Sequence, residues 1–562
     1  MVNSFAGQMR IKNNIHLVSW MWKHTKGKRL TLFISVFIGL FRIVASLSFV
    51  WISKEMIDIA SYNKMENLYV YALSLSAVLI FEIILSALYS YIEVQLEAGV
   101  RSLLMRSTFV RAVNSVWNGK EKWHSGDVVN RLEEDVRLVS NSMCSVLPGL
   151  AITAVQFIAA FIFLSYINPE LAWIIVFIMP VFLVVSFFIA RRMKRLTKEI
   201  RETDGKIQSV IQESLQKRIV LLALMRVKHV YSKLVYYQEK FIEQSTERNR
   251  FSVVSRMAVM FGFGAGYLTA FIWGVSHLHD GLITFGMLSA FLQLVGQIQR
   301  PTADMSRKIP YIIHSLASAE RLLEIYSSEQ EEIDEAVSSS MENPYCGIRF
   351  ENVTFSYKDS DRKIISGFSY DFKPGSSTAI VGETGAGKST MMRLMLGLLK
   401  PESGIVYLYT NDNYKMIASS RTRLDVIYVP QGNSLLSGTI RENLIAGNGL
   451  ITDDEIGKAI YLAAAEFVYE LPEGLDTICG EGGEGLSEGQ AQRIAIARGL
   501  LSRGNIILLD EFTSALDSET EKKLMNRLTR EVIGKTIVFI THRKDIADMC
   551  SNILHINKSS IK

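Results

Sequence analysis

Six apolar stretches, near 31–52, 67–91, 145–166, 170–190, 253–277 and 282–299, recur along the N-terminal part of this chain. Each is close to the ~20 residues with which an α-helix crosses a bilayer core. A backbone in lipid must satisfy its own hydrogen bonds, so such runs become helices. One run could be a buried core helix, but six in succession predict an all-α polytopic membrane domain. Of the 562 residues 49% are hydrophobic and an ordinary 21% charged, so the apolar surplus is concentrated in these runs.

Charge between the runs sets orientation, because cytoplasmic segments carry the excess of Lys and Arg. Arg10, Lys12, Lys23, Lys26, Lys28 and Arg29 precede the first run, and Arg191, Arg192, Lys194, Arg195, Lys198 and Arg201 follow the fourth. The segment 53–66 instead sets Lys54 and Lys64 against Glu55, Asp58 and Glu66. Both termini are therefore expected in the cytoplasm. The first thirty residues lack a small-residue cleavage site and the first run contains Arg42, so neither a cleaved signal peptide nor a peptidase-like domain is expected there.

From Arg191 to Arg250 there is no Pro and one Gly, which predicts that spans four and five continue as helices far into the cytoplasm. The connection 93–142 has the same character, with a break at WNGKEKWHSGD (117–127). Arg42 and Glu82 lie near the middle of spans one and two, and Gln293 and Gln297 share one face of span six. Arg42 and Glu82 read equally as an interhelical ion pair or as polar elements of a substrate cavity, which the two glutamines could also line. A net charge of +5 makes no case for nucleic acid. Cys144, Cys346, Cys479 and Cys550 have no metal or disulfide spacing.

An acidic, Ser-rich stretch at 327–345 reads as a linker, placing a membrane domain at 1–326 and a second domain at 346–562. In the latter, STAIV (377–381), DVIYV (425–429), IILLD (506–510) and TIVFI (536–540) alternate with helical patterns, which predicts a parallel α/β sheet. GETGAGKST (382–390) sits between a strand and a helix, where a phosphate loop works. Its residues Gly382, Glu383, Thr384, Gly385, Ala386 and Gly387 would turn backbone N–H groups toward phosphates. Lys388 would add charge, Ser389 would ligate Mg²⁺, and Thr390 follows in the same loop. Asp510 and Glu511 end a buried strand, an arrangement suited to holding Mg²⁺ through water and accepting the proton of an attacking water. GLSEGQAQRIAIAR (485–498) delivers Ser487 to a second helix start, another anion site.

Taken together these motifs resemble the ATP-binding cassette (ABC) family. ENVTFSY (351–357) is similar to its adenine platform, with Tyr357 stacking on the base. VPQGNSLLSGTIRENL (429–444) is similar to its glutamine loop, which would place Gln431 near Mg²⁺ and the γ-phosphate. LSEGQ (486–490) resembles the signature, SALD (514–517) the dimer-contact loop containing Asp517, and ITHR (540–543) the switch, with His542 reaching the γ-phosphate. HSGDVVNRLEEDV (124–136) resembles the first intracellular segment of six-helix exporters, and SLASAERLLEIY (315–326) their last helix. The resemblance implies a half-transporter in which two chains dimerise head to tail. Ser487, Gly489 and Gln490 of one copy would then cap the ATP held by Lys388 of the other, and breaks near 114–124 and 213–222 would be coupling helices. The implied cofactors are ATP and Mg²⁺, and the implied partners are a second copy (or a sister chain), membrane lipid and a transported substrate.

Three positions depart from the family pattern: Glu488 in the signature, Lys217 in the second coupling segment, and an end at NKSSIK. The implied function is ATP-driven export of a hydrophobic, amphipathic or peptide substrate, in a bacterial inner membrane. A lipid flippase and an ATP-gated channel or sensor are the alternatives. Glu511 and His542 together favour a productive cycle, since a gate needs no water-activating base.

Overall fold

The computed structural model describes residues 16–61, 68–117, 119, 123, 125–331, 346–357, 362–412, 414–445, 451–480, 485–502, 504–512, 515–532 and 534–556. Arg10, Lys12, most of the expected linker, Ser514 of SALD and the terminal NKSSIK lie outside these residues. The chain divides into two compact units, Met1–Phe109 with Val129–Glu324, and Val110–Val128 with Ile325–Lys562. The middle of the 93–142 connection thus groups with the second unit rather than the first.

The membrane unit is built on six long helices: α1 (Arg29–Ser61), α2 (Leu68–Val113), α3 (Ser125–Ile167), α4 (Pro169–Gln216), α5 (Val227–His279) and α6 (Phe285–Tyr326). Of these, α1, α2, α3 and α5 are long and apolar enough among the described residues to cross a membrane. The fourth and sixth apolar stretches lie on α4 and α6, of 48 and 42 residues. At 1.5 Å per residue a helix such as α5 is ~80 Å long, well beyond a ~30 Å hydrocarbon core. The long helical extensions expected from the Pro-free stretch are therefore present, and a short helix, Arg218–Ala223, joins α4 to α5.

Two π-helical turns, Arg131–Asp135 and Ser142–Val146, interrupt α3. The first carries the residues that meet α6. Arg131 donates to the Glu324 carboxylate at 2.9 Å and the Arg321 carbonyl at 2.7 Å, while Arg321 pairs in return with the buried Asp135. The two segments NRLEEDV and SAERLLEIY are thus brought side by side by crossed ion pairs, with a wide turn aiming the α3 side chains.

The second unit holds an antiparallel sheet, β1 (Cys346–Ser356), β2 (Lys363–Phe372), β4 (Ser403–Thr410) and β5 (Lys415–Ile417), in the order β2-β1-β4-β5. Its parallel sheet has the order β11-β3-β10-β9-β6. Those strands are β3 (Ser377–Gly382), β6 (Val426–Val429), β9 (Ile506–Asp510), β10 (Thr536–Ile540) and β11 (Asn552–Ile556). A small pair, β7 (Gly438–Thr439) and β8 (Ile478–Cys479), completes the strands named here. Every residue of β9 and β10 is buried, as expected of apolar strands covered on both faces. Ligands bind such sheets beyond the carboxyl ends of their strands, and the phosphate motifs lie there.

Candidate functional site

β3 runs into the glycine loop, which opens the helix α7 (Lys388–Met395). Gly385 and Gly387 have φ of +80° and +92°, a region costly for any side chain, so these two glycines are needed to fold the loop around an anion. Lys388 is 5% exposed, and its ammonium donates to the Gly382 and Glu383 carbonyls at 2.8 and 3.0 Å. Burial pulls its pKa below the ordinary lysine value, and Glu511 and Asp510 partly oppose that. A charge held this way is available to a phosphate without first shedding a water shell.

The register of the parallel sheet assembles the rest. Asp510 pairs with Ile540 across β9 and β10, so Glu511 and His542 emerge from neighbouring strand ends. His542 Nε2 lies 2.9 Å from Glu511 Oε1 and 3.4 Å from Lys388 Nζ. One ring nitrogen cannot donate to the carboxylate and accept from the ammonium at once. The shorter contact decides: Nε2 carries the proton and donates to Glu511. Gln431 donates to the other oxygen, Oε2, at 2.8 Å, so the amide assigned by resemblance to Mg²⁺ here holds Glu511. Glu511 has φ +45°, a left-handed conformation that costs about 1–2 kcal/mol outside glycine. Such strain is kept where the surroundings impose it, and it aims this carboxylate.

Asp510 is 6% exposed and receives a hydrogen bond from the Ser389 side chain. Burial, foremost, lifts its pKa above the ordinary carboxylate range, and the Ser389 bond lowers it in part. Its Oδ1 is buried with no hydrogen-bond partner. An orphaned carboxylate oxygen beside a hydroxyl fits a hard cation. No group of three or more His, Cys, Asp or Glu among the described residues could hold a metal alone. That suits Mg²⁺, which takes most of its ligands from phosphate and water.

Tyr357 stands beside the loop. Its hydroxyl meets Thr390 Oγ1 at 3.1 Å, and Phe355 packs edge-on to its ring at 5.0 Å. Arg393 of α7, which sequence reasoning missed, donates to the same hydroxyl at 3.4 Å and lies 4.8 Å from the Trp117 ring. A Cβ on Gly119 would come within 2.2 Å of the Tyr357 ring. Contacts between positions this far apart in sequence leave no local pattern.

The second helix start is α8 (Glu488–Leu500). Ser487 caps it through a capping box: Gln490 N–H donates to Ser487 Oγ at 3.2 Å, and Ser487 N–H donates to Gln490 Oε1 at 2.9 Å. The capping bond uses Ser487 as acceptor and leaves its O–H free to donate. Gln490 is thus engaged in the cap. Gly489 is buried, and a Cβ there would fall 2.6 Å from the Ala515 carbonyl, so close packing requires glycine. Glu488 is exposed in the first turn, where a negative charge favours the helix. Asp517 caps a further helix, α9 (Ser518–Glu531), by accepting from Glu519 N–H and Thr520 N–H.

In the membrane unit no ion pair links Arg42 and Glu82 among the described residues. The Arg42 guanidinium lies over the Tyr89 ring at 5.4 Å, with Nε buried and unpartnered. Helical side chains lean toward the helix N-terminus, which carries Arg42 toward Tyr89, two turns along α2 from Glu82. The ion-pair reading is therefore replaced by a cation–aromatic contact. Gln297 donates to Ser46 Oγ at 2.9 Å and Gln293 to Ser289 Oγ at 3.2 Å, while Gln297 Oε1 is buried without a partner.

Comparison with known proteins gives concordant findings. Residues 32–302 match the family described as ABC transporter transmembrane region, and residues 365–514 match the family described as ABC transporter. A putative export ATP-binding/permease protein of Rickettsia bellii is 27% identical over 82% of this chain and 80% of its own length. A leukotoxin translocation ATP-binding protein of Mannheimia glucosida is 28% identical over 94% of this chain and 74% of its own. Among solved structures, a bacterial Atm1-family ABC exporter with ATP bound superposes with a TM-score of 0.78 at 22% identity, covering 95% of this chain and 94% of the other. That last likeness bears on the fold alone.

Proposed function

Because this chain belongs to the ABC transporter family, with the membrane and ATP-binding regions of an exporter fused in one polypeptide, we propose that it hydrolyses ATP to drive export by alternating access. The observation that carries this reading is the fixed Glu511. Its two oxygens are occupied by His542 and Gln431, and its backbone is strained to present it. A carboxylate so aimed serves as general base toward a water in line with the γ-phosphate, a role a nucleotide-gated pore does not need.

Lys388 and the loop N–H groups would bind the triphosphate, and Tyr357 would stack on the base. Ser389 and Asp510 would hold Mg²⁺, which neutralises charge on the phosphate oxygens when bound. His542, donating to Glu511, would keep that carboxylate oriented. In this reading the chain works as a homodimer, and Ser487 donates to the γ-phosphate on the opposite copy. Differential contact with that phosphate closes the dimer, and its loss lets the dimer open.

We place both termini and the ATPase domain on the cytoplasmic side of a bacterial inner membrane. The domains we assign are 1–326 and 346–562. Arg42, Glu82, Gln293 and Gln297 are the candidate cavity residues. A peptide or amphipathic cargo is favoured, since one relative is named for toxin translocation. The test is ATPase activity of the full chain in lipid vesicles, screened with peptides, amphipathic drugs and lipids. Stimulation by one class identifies the cargo type, and absence of any ATP turnover rejects the reading.

A further inference from the structure

We infer that Glu331 and Arg423 form a strut within one chain, tying the phosphate-loop helix to the ends of the second and sixth membrane helices. Arg423 sits on the 3-10 turn Arg421–Asp425 and does two things at once. Its Nε and one Nη donate to the Leu396 and Gly397 carbonyls at 3.0 and 3.3 Å, closing the C-terminal end of α7. Its two Nη atoms also grip the Glu331 carboxylate at 2.5 and 2.9 Å. This bidentate geometry is the strong form of the pair, and its partners are only 27% and 16% exposed.

Glu331 is in turn stitched to the end of α2. Its N–H donates to the Asn114 carbonyl at 2.9 Å, and Val116 N–H donates to the Glu329 carbonyl at 2.9 Å, making an antiparallel bridge at Ser115 and Gln330. The Gln330 side chain donates to the Arg111 carbonyl at 3.2 Å, and Arg111 donates to the Tyr326 carbonyl at 3.1 Å while lying 4.8 Å from that ring. The last residues of α2 and α6 are thus knitted together before they reach Arg423. A cavity of about 540 Å³, lined by Val116, Gln330, Tyr357, Lys400, Ser419 and Arg423, lies beside the bridge. The tie therefore passes through a few polar contacts rather than a packed wall.

The consequence follows from the length of α7. Its N-terminal residue is Lys388 and its C-terminal end is held by Arg423, so an 8-residue rigid rod joins the phosphate contact to the strut. Displacement of Lys388 on binding triphosphate is passed to Glu331 and so to both membrane helices. Glu331 and Arg423 are positioning residues, and their role rests on the ATP-driven reading above.

The test uses the full chain in lipid nanodiscs with Cys550→Ser, spin-labelled at Tyr69→Cys on the outer end of α2, where Tyr69 is 85% exposed. Inter-protomer distance and trapped nucleotide are measured with and without Mg-ATP and vanadate. The strut requires that Glu331→Gln and Arg423→Gln trap nucleotide as the parent does, yet lose more than half of the distance change. It also requires that the double variant be no worse than either single one. A full distance change in Glu331→Gln overturns the strut. So does a loss of trapping in proportion to the loss of movement, which marks a merely structural pair. A parent that traps no nucleotide overturns the ATP-driven reading and the strut together.

Discussion

Glu511 and His542 are joined by a 2.9 Å hydrogen bond across the ends of two adjacent buried strands, and Gln431 closes the other side of the carboxylate at 2.8 Å. The three residues come from segments separated by 80 and 31 positions, so the sheet register alone brings them together.

Replacing Glu511 with Gln keeps the side-chain shape and one accepting oxygen but removes the base. Hydrolysis is expected to fall by about 10²- to 10⁴-fold with ATP binding preserved, measured by single-turnover assay and nucleotide titration. Adding His542→Ala to that variant should cost little more, because both act on one step. Equal turnover in Glu511→Gln rejects it as the base.

Asp510 supplies a pH dependence. Its folded pKa is raised, so the neutral form is favoured in the folded chain, and stability is lost as pH rises from the unfolded value through the folded one. Mg²⁺ requires the anion and so competes with the proton. Mg-ATP affinity should weaken by about tenfold per pH unit below the raised pKa, while ATP binding without Mg²⁺ stays flatter. Calorimetry with and without Mg²⁺ checks this, and Asp510→Asn should abolish the difference.

Gly489→Ala places a Cβ 2.6 Å from the Ala515 carbonyl, and the backbone must move. A destabilisation of about 1–3 kcal/mol is expected from overpacking, with the start of α8 displaced. ATPase should fall sharply, while a fluorescent ATP analogue still binds at Lys388. Wild-type turnover in Gly489→Ala contradicts the placement of this turn at the site.

Glu82→Gln tests the membrane reading. With no ion pair to Arg42, the change should shift stability by no more than about 0.5 kcal/mol. A broken buried pair would cost about 3–5 kcal/mol. Thermal unfolding in detergent, followed by near-ultraviolet circular dichroism, separates the two.

Much of the fold was legible because it obeys short-range rules. STAIV, IILLD and TIVFI became β3, β9 and β10, and DVIYV became β6 with Asp425 left in the preceding turn. The great length of α4 and α5 followed from the absence of Pro between Arg191 and Arg250. The antiparallel sheet was missed: ENVTFSY was read for its tyrosine, although it lies in β1, whose mixed burial hides any strict alternation. Helix α6 runs unbroken through Pro301 and Pro310, so span six and the SLASAERLLEIY segment lie on one helix. At the site, loop, bases and capping serine could be named from motifs. Gln431 on Glu511, Arg393 on Trp117, and Arg42 on Tyr89 could not, since each depends on packing between distant segments.

Complementation between two copies decides most directly whether Ser487 serves the ATP of the opposite chain. Mixed dimers are purified with two tags, and occluded nucleotide per dimer is counted after vanadate trapping. With Lys388→Ala on one chain and Ser487→Ala on the other, a trans arrangement leaves one complete site, so about one nucleotide should be occluded; with both changes on a single chain, none should be. The reverse pattern, occlusion only when both changes share a chain, would mean that each copy caps its own nucleotide.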